Sequence, residues 1–140
     1  MFDLGRDVDA HAKSAAQTGE RAIAGVTHGL MGLGDTVTWE ARHFGVVQRM
    51  TVRIDRFDRP HEFEDARIGG ALRSMRHVHH FRPHADGTLM VDDFAFEAPF
   101  GVVGAIVAIL ALRPYFEKFL RRRAEVLKGM AEAASSRTSP

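Results

Sequence analysis

The segment from Ser74 to Gly104, S-M-R-H-V-H-H-F-R-P-H-A-D-G-T-L-M-V-D-D-F-A-F-E-A-P-F-G-V-V-G, restricts the fold more than any other part of the chain. Its first half alternates, placing Met75, His77, His79 and Phe81 on one face of a strand. Its second half repeats the period with Met90, Asp92, Phe94 and Phe96. Between them Pro83-His84-Ala85-Asp86-Gly87 has turn chemistry. Pointing both apolar faces the same way sets one register: Phe81 opposite Met90, His79 opposite Asp92, His77 opposite Phe94. A slip of one residue would turn Met90, Phe94 and Phe96 to solvent. The hairpin therefore carries two histidines and an aspartate on a face that is otherwise apolar.

The chain before this hairpin continues the pattern. Phe2 to about Ala16 has near-helical apolar spacing, with Asp3 as the expected N-cap. Arg21 to Leu30 reads as a strand weakened by Gly25. Thr36 to Phe44 alternates cleanly, with Val37, Trp39, Ala41 and His43 on one side. Val47 to Phe57 follows with Met50, Val52 and Ile54, and His61 to Ile68 with His61, Phe63 and Asp65. Short turns join these strands, so they predict an antiparallel meander whose apolar face needs a cover.

The expected cover is a helix from Val102 to about Met130, about 40 Å long at ~1.5 Å per residue. Its stripe is Val103, Ile106, Val107, Leu110, Leu112, Tyr115, Phe116, Phe119, Leu120 and Leu127. Pro114 lies inside it and predicts a kink or break near Arg113. The Arg121-Arg122-Arg123 run reads as a solvated helix end. Gly101-x-x-Gly104 lacks a dinucleotide fingerprint and reads as a sharp turn where a Cβ would clash. The fold class is thus α+β, one domain over residues 1–130, followed by a small, polar tail over 131–140 expected to be disordered.

Composition removes whole classes of function. Lys+Arg 19 against Asp+Glu 18 gives no field that would draw the chain to nucleic acid. With no cysteine there is no disulfide, thiolate or Cys-ligated zinc. The longest apolar run, Phe100 to Leu112, spans 13 residues, short of the roughly 20 that cross a bilayer. The N-terminus has no basic segment leading into an apolar core, so a cytoplasmic protein is expected.

In order and spacing, several short motifs resemble one family: His77-x-His79-x-Phe81, Gly87-Thr88-x-Met90-x-Asp92, Pro99-x-Gly101-x-x-Gly104, then Leu112, Tyr115, Leu120 and Arg123. The Trp39–Gly45 run and Arg59-Pro60 followed by Phe63-x-Asp65 fit the same pattern. Over roughly Phe2 to Lys128 the chain resembles the SRPBCC (START-like) ligand-binding superfamily, which includes polyketide cyclase/dehydrase-like proteins. It is most similar to a bacterial subfamily described only as ligand-binding. The resemblance implies a helix-grip fold, a curved antiparallel sheet wrapped around a long C-terminal helix, with a hydrophobic cavity between them. The family normally begins with a strand ahead of the first helix, and this chain begins inside that helix. The first strand is therefore expected to be missing, leaving Leu89–Glu97 as an open edge through which a homodimer could form.

The polar residues of the inward face admit three readings. A buried carboxylate must be paired or wet, and His79 is the expected partner of Asp92. In the first reading the pair is a structural lock on the hairpin register. In the second, His77, His79 and Asp92 orient a ligand's oxygen. The third is chemistry, a His as acid/base or a metal on His77, His79 and Asp92. The expectation taken forward is binding without catalysis, with no metal or cofactor. The ligand would be lipid-, polyketide- or terpenoid-like, anchored by His77, His79 and Asp92 and walled by Trp39, Met50, Phe63, Phe81, Phe94 and Phe96. A cyclase/dehydratase-type enzyme and a protein-interaction module built on the open edge are the alternatives.

Overall fold

A computed structural model describes residues 1–137. Six strands form one antiparallel sheet in sequence order: β1 (Arg21–Gly25), β2 (Thr36–His43), β3 (Val46–Asp58), β4 (Glu62–Gly70), β5 (Ser74–His84) and β6 (Gly87–Glu97). Two short helices precede them, α1 (Phe2–Gly5) and α2 (Val8–Ser14). A C-terminal helix of 36 residues follows, built from α3 (Gly101–Val107), one π-turn segment (Ala108–Leu112) and α4 (Arg113–Ser136). This is an α+β arrangement of the helix-grip kind. No helix among the described residues is long and apolar enough to cross a membrane.

The β5–β6 hairpin has the register that alternation requires, with Phe81 opposite Met90, His79 opposite Asp92 and His77 opposite Phe94. Among the described residues the outer side of β6 has no partner strand. The inward face of β2 and β3 is as expected: Val37, Trp39, Ala41, Val52 and Ile54 are buried. They join Phe2, Val8, Met31, Phe63, Met75 and Phe81 in the core. Phe2 plugs this core from α1, edge-on to Phe57, Phe63 and Phe81 at centroid distances of 5.4, 5.5 and 5.2 Å.

Several local features differ from expectation. The N-terminal helix is two helices, because Asp7 takes up an extended conformation and caps the second. Its carboxylate accepts from the Asp9 and Ala10 N–H groups at 2.8 and 3.0 Å. Asp3 caps nothing; it pairs with Arg6 and Arg59. Strand β1 stops at Gly25, five residues early. There φ is +73°, and a Cβ would lie 2.1 Å from the Thr36 carbonyl oxygen. The chain then returns to α1 and α2, where Val8 N–H donates to Gly29 O and Met31 N–H to Arg6 O. His61 lies outside β4 and is exposed, so it does not share the face of Phe63 and Asp65.

The long helix does not break at Pro114. Arg113 keeps helical angles, and the π-turn just before it absorbs the missing donor. Its apolar stripe, however, divides. From Tyr115 onward it packs on the molecule through Phe116, Phe119, Leu120, Arg123 and Leu127. Val103, Ile106, Val107 and Leu110 are instead exposed, because α3 stands off the sheet. The lift begins at Phe100-Gly101, both with positive φ, and at Gly104, where a Cβ would lie 1.7 Å from the Pro99 carbonyl oxygen. Arg121 and Arg122 are solvated, but Arg123 is buried on the packed stripe. The helix continues to Ser136, beyond the Met130 expected for its end; positions 138–140 of the expected tail lie outside the described residues.

Candidate functional site

Where α3 lifts away, a cavity of about 360 Å³ opens between the helix and the sheet. Its walls are Trp39, Ala41 and Met50 from β2 and β3, Leu72, Phe94 from β6, and Val103, Val107, Leu112 and Phe116 from the helix. Phe44 and Phe100 also line it, and both are exposed. Each is held at positive φ, 52° and 72°, a conformation that costs a bulky residue on the order of 1–3 kcal/mol. Phe44 owes it to a two-residue hairpin turn with Gly45, and its ring lies 4.5 Å from that of Tyr115.

Polar groups are few on this wall. Glu20, just before β1, presents a carboxylate whose Oε1 accepts from His11 Nε2 at 2.9 Å. The His11 ring stacks on Trp39 with centroids 4.0 Å apart, which fixes the direction of the carboxylate. Burial by itself would raise the Glu20 carboxyl, but His11 and the charge of Arg123 overcome it and hold it low, so Glu20 is ionised. His43, at the end of β2, pairs its Nδ1 with the Tyr115 hydroxyl at 2.6 Å. Burial keeps that imidazole neutral and the phenol protonated. Gln48 lies on the inward face of β3. Arg49 touches the rim, but its guanidinium points to solvent and binds Glu40.

The residues expected to form one site are divided among four places. Trp39, Met50 and Phe94 line the cavity. Phe63 and Phe81 belong to the closed core around Phe2. Phe96 lines a second, open cleft of about 580 Å³ on the other side of α3, with Val102 and Ile109. His77, His79 and Asp92 line neither space. Phe94, which lines the cavity, has its ring edge-on to His77 at 5.2 Å.

These three instead form a buried ionic network with Asp65. His79 is fully buried and lies between two carboxylates, with Nδ1 2.7 Å from Asp92 Oδ1 and Nε2 3.2 Å from Asp65 Oδ2. Burial would strip its proton, but the two aspartates reverse that and raise its pKa; the ring is an imidazolium donating on both sides. Burial opposes ionisation of both aspartates as well, and the histidines beside them hold both below the usual carboxylate range. His77 goes the other way. Burial, then the neighbouring His79 charge, lowers it to about 4. Its Nε2 lies 3.4 Å from Asp92 Oδ1 and forms no hydrogen bond among the described residues.

Asp65, His77 and His79 also bring one oxygen and two ring nitrogens within 4.8 Å of one another, a spacing that a divalent cation could bridge. A cation there would have to displace the proton that His79 shares with Asp65. Its charged members, His79, Asp65 and Asp92, pair with one another, and we read the network as the lock that ties β4, β5 and β6 together.

Asp65, Glu20, His11, Arg123 and the His43–Tyr115 pair were not assigned to a site from sequence. Arg123 donates from Nε to Ser14 Oγ at 3.3 Å, joining α4 to α2, and its charge reaches Glu20 and Asp65. A signal for it was present: positions 116, 119, 123 and 127 share one helical face, so the third arginine of the run falls on the packed stripe.

No family model matches the chain, and no curated protein does. Among solved structures it is similar to the crystal structure of TTHA0849 from Thermus thermophilus, with a TM-score of 0.67 and 18% identity. The match covers 99% of this chain and 89% of that one, and it shows a shared fold.

Proposed function

We propose that the chain is a member of the SRPBCC ligand-binding superfamily and holds a small apolar molecule, lipid-, polyketide- or terpenoid-like, in the cavity between β2–β3 and α3. The observation that carries this reading is the cavity itself: about 360 Å³, walled by aromatic and aliphatic side chains, with only a few polar groups. Such a space suits a ligand that buries most of its surface and is oriented by a small polar end. Shared architecture alone would not support it, since one fold serves many functions. Trp39, Met50, Phe94 and Phe116 make the walls. The polar end falls to Glu20 and His43 rather than to His77, His79 and Asp92.

Trp39 is the only tryptophan and lines the cavity, so its emission reports directly on occupancy. Titration with an apolar alcohol should shift and saturate that emission, and native mass spectrometry of protein from its own host should show a co-purifying apolar mass. An unchanged Trp39 spectrum at the solubility limit of the alcohol, together with a bare mass, would overturn the reading.

The enzymatic alternative rests on His43, a neutral imidazole on the cavity wall with its Nδ1 held by Tyr115. That arrangement suits an acid/base group. It requires that a bound molecule leave chemically altered, and that His43→Gln abolish the change at saturating concentrations of that molecule.

A further inference from the structure

We propose that the cavity selects apolar molecules that end in a hydrogen-bond donor, a hydroxyl or an ammonium, and rejects those that end in a carboxylate, because the carboxylate of Glu20 closes its polar end. The inference rests on the binding reading above and specifies the ligand class.

Three observations carry it. First, the Glu20 side chain is 9% exposed and lines the cavity. Only Oε1 is engaged, by His11 Nε2; Oε2 receives no hydrogen bond among the described residues and can accept one from a ligand. Second, the carboxylate cannot turn aside. Its partner His11 is clamped flat against Trp39, and α2, which carries His11, is joined to α4 through Ser14 and Arg123. Third, among the described residues no cation on the cavity wall is free to receive an anion. Arg49 is committed to Glu40 on the outer face of the sheet, and Arg123 lies behind Glu20 without lining the space. His43 has one ring nitrogen bound to Tyr115 and one left, which can serve the oxygen of a hydroxyl bound by Glu20.

A second carboxylate brought beside Glu20 meets a like charge where water is scarce, and must take up a proton or stay out. A hydroxyl or ammonium supplies the missing donor. A site built to pair with a donor discriminates strongly against molecules without one, since its own buried group is then left unsatisfied.

The test uses 1-decanol, decylamine and decanoate at pH 7, each titrated against the full chain by Trp39 fluorescence and confirmed by calorimetry. Decanol and decylammonium should bind about tenfold or more tighter than decanoate, which corresponds to ~1.4 kcal/mol. Glu20→Gln should bring decanoate to within about threefold of decanol. Decanoate binding the unmodified protein as tightly as decanol would overturn the selectivity and leave the cavity reading standing. None of the three binding would remove the cavity reading itself. The ranking on the unmodified protein decides the matter even if Glu20→Gln fails to fold.

Discussion

Asp92→Asn tests whether the buried network, rather than a ligand, accounts for the polar residues of the β5–β6 hairpin. Asn keeps the shape and one oxygen acceptor but removes the charge. Asp92 Oδ1 faces His79 Nδ1 at 2.7 Å and His77 Nε2 at 3.4 Å, so the change leaves an imidazolium with Asp65 as its only anion. Removing one member of a buried ion pair costs about 3–5 kcal/mol, and retention of the acceptor puts this case near the lower figure. For a chain of 140 residues, about 3 kcal/mol is a large part of total stability and lowers the melting temperature by about 10 °C. The pH dependence follows from both partners. The depressed Asp92 carboxyl contributes stability that is present above about pH 4 and is lost as pH falls through its folded value. The raised His79 contributes stability that is present below about pH 6.5 and is lost as pH rises through its folded value. The gap between the two proteins should therefore be widest from about pH 4 to 6.5 and narrow on either side. Urea unfolding followed by circular dichroism across that range measures it, and a ring-proton titration of His79 should show its pKa falling in the variant. In Asp65→Asn/Asp92→Asn the histidine can release its proton, so the loss should be at least about 1 kcal/mol less than the sum of the single changes. A loss under about 1 kcal/mol at pH 6 for Asp92→Asn, with His79 unmoved, would refute the reasoning.

Two further outcomes follow from the same structure. His77, lowered to about 4, stays neutral when folded but takes up a proton when unfolded, so stability should fall by about 3 kcal/mol between pH 6.5 and 4; His77→Leu should flatten that limb of the urea profile, and an unchanged limb would show that other groups cause it. Gly104→Ala places a Cβ 1.7 Å from the Pro99 carbonyl oxygen and should lower stability by at least about 2 kcal/mol in a thermal melt, whereas a neutral substitution would mean that the turn into α3 is free to relax.

The hairpin was legible because alternation with period two leaves little freedom. Once Met90, Phe94 and Phe96 must face inward, the pairing of His79 with Asp92 follows, and the structure has that pairing. The partner on the other side was not legible. Asp65 reaches His79 because β4 pairs with β5 in a register that places it opposite His77. That register depends on irregularities in the preceding β3–β4 pair and on a strand beginning at Glu62 rather than His61. Glu20 and His11 had no periodic signal at all. Each lies at the end or on the side of a short element, and they meet only because the 3₁₀ turn at Ala16–Thr18 and the left-handed Gly19 fold the chain back on α2.

The separation of His77, His79 and Asp92 from the cavity has one physical cause. Periodicity reports which face of a strand is inward, but an inward face can be covered by the protein itself or by empty space. Along β4 and β5 the N-terminal helices close over Phe63 and Phe81 through Phe2 and Val8, and beside them the buried charge of His79 pairs with Asp65 and Asp92. Along β2 and β3 the cover is α3, which the turn at Pro99–Gly104 holds away from the sheet, leaving Trp39 and Met50 facing a cavity. The exposure of Val103 and Val107 is thus the same fact as the existence of the cavity. A cavity between sheet and helix was expected, and the polar content of the inward face assigned it to the β5–β6 hairpin. The cavity opens where the cover fails to touch the sheet, and the polar side chains that line it there include Glu20 and His43.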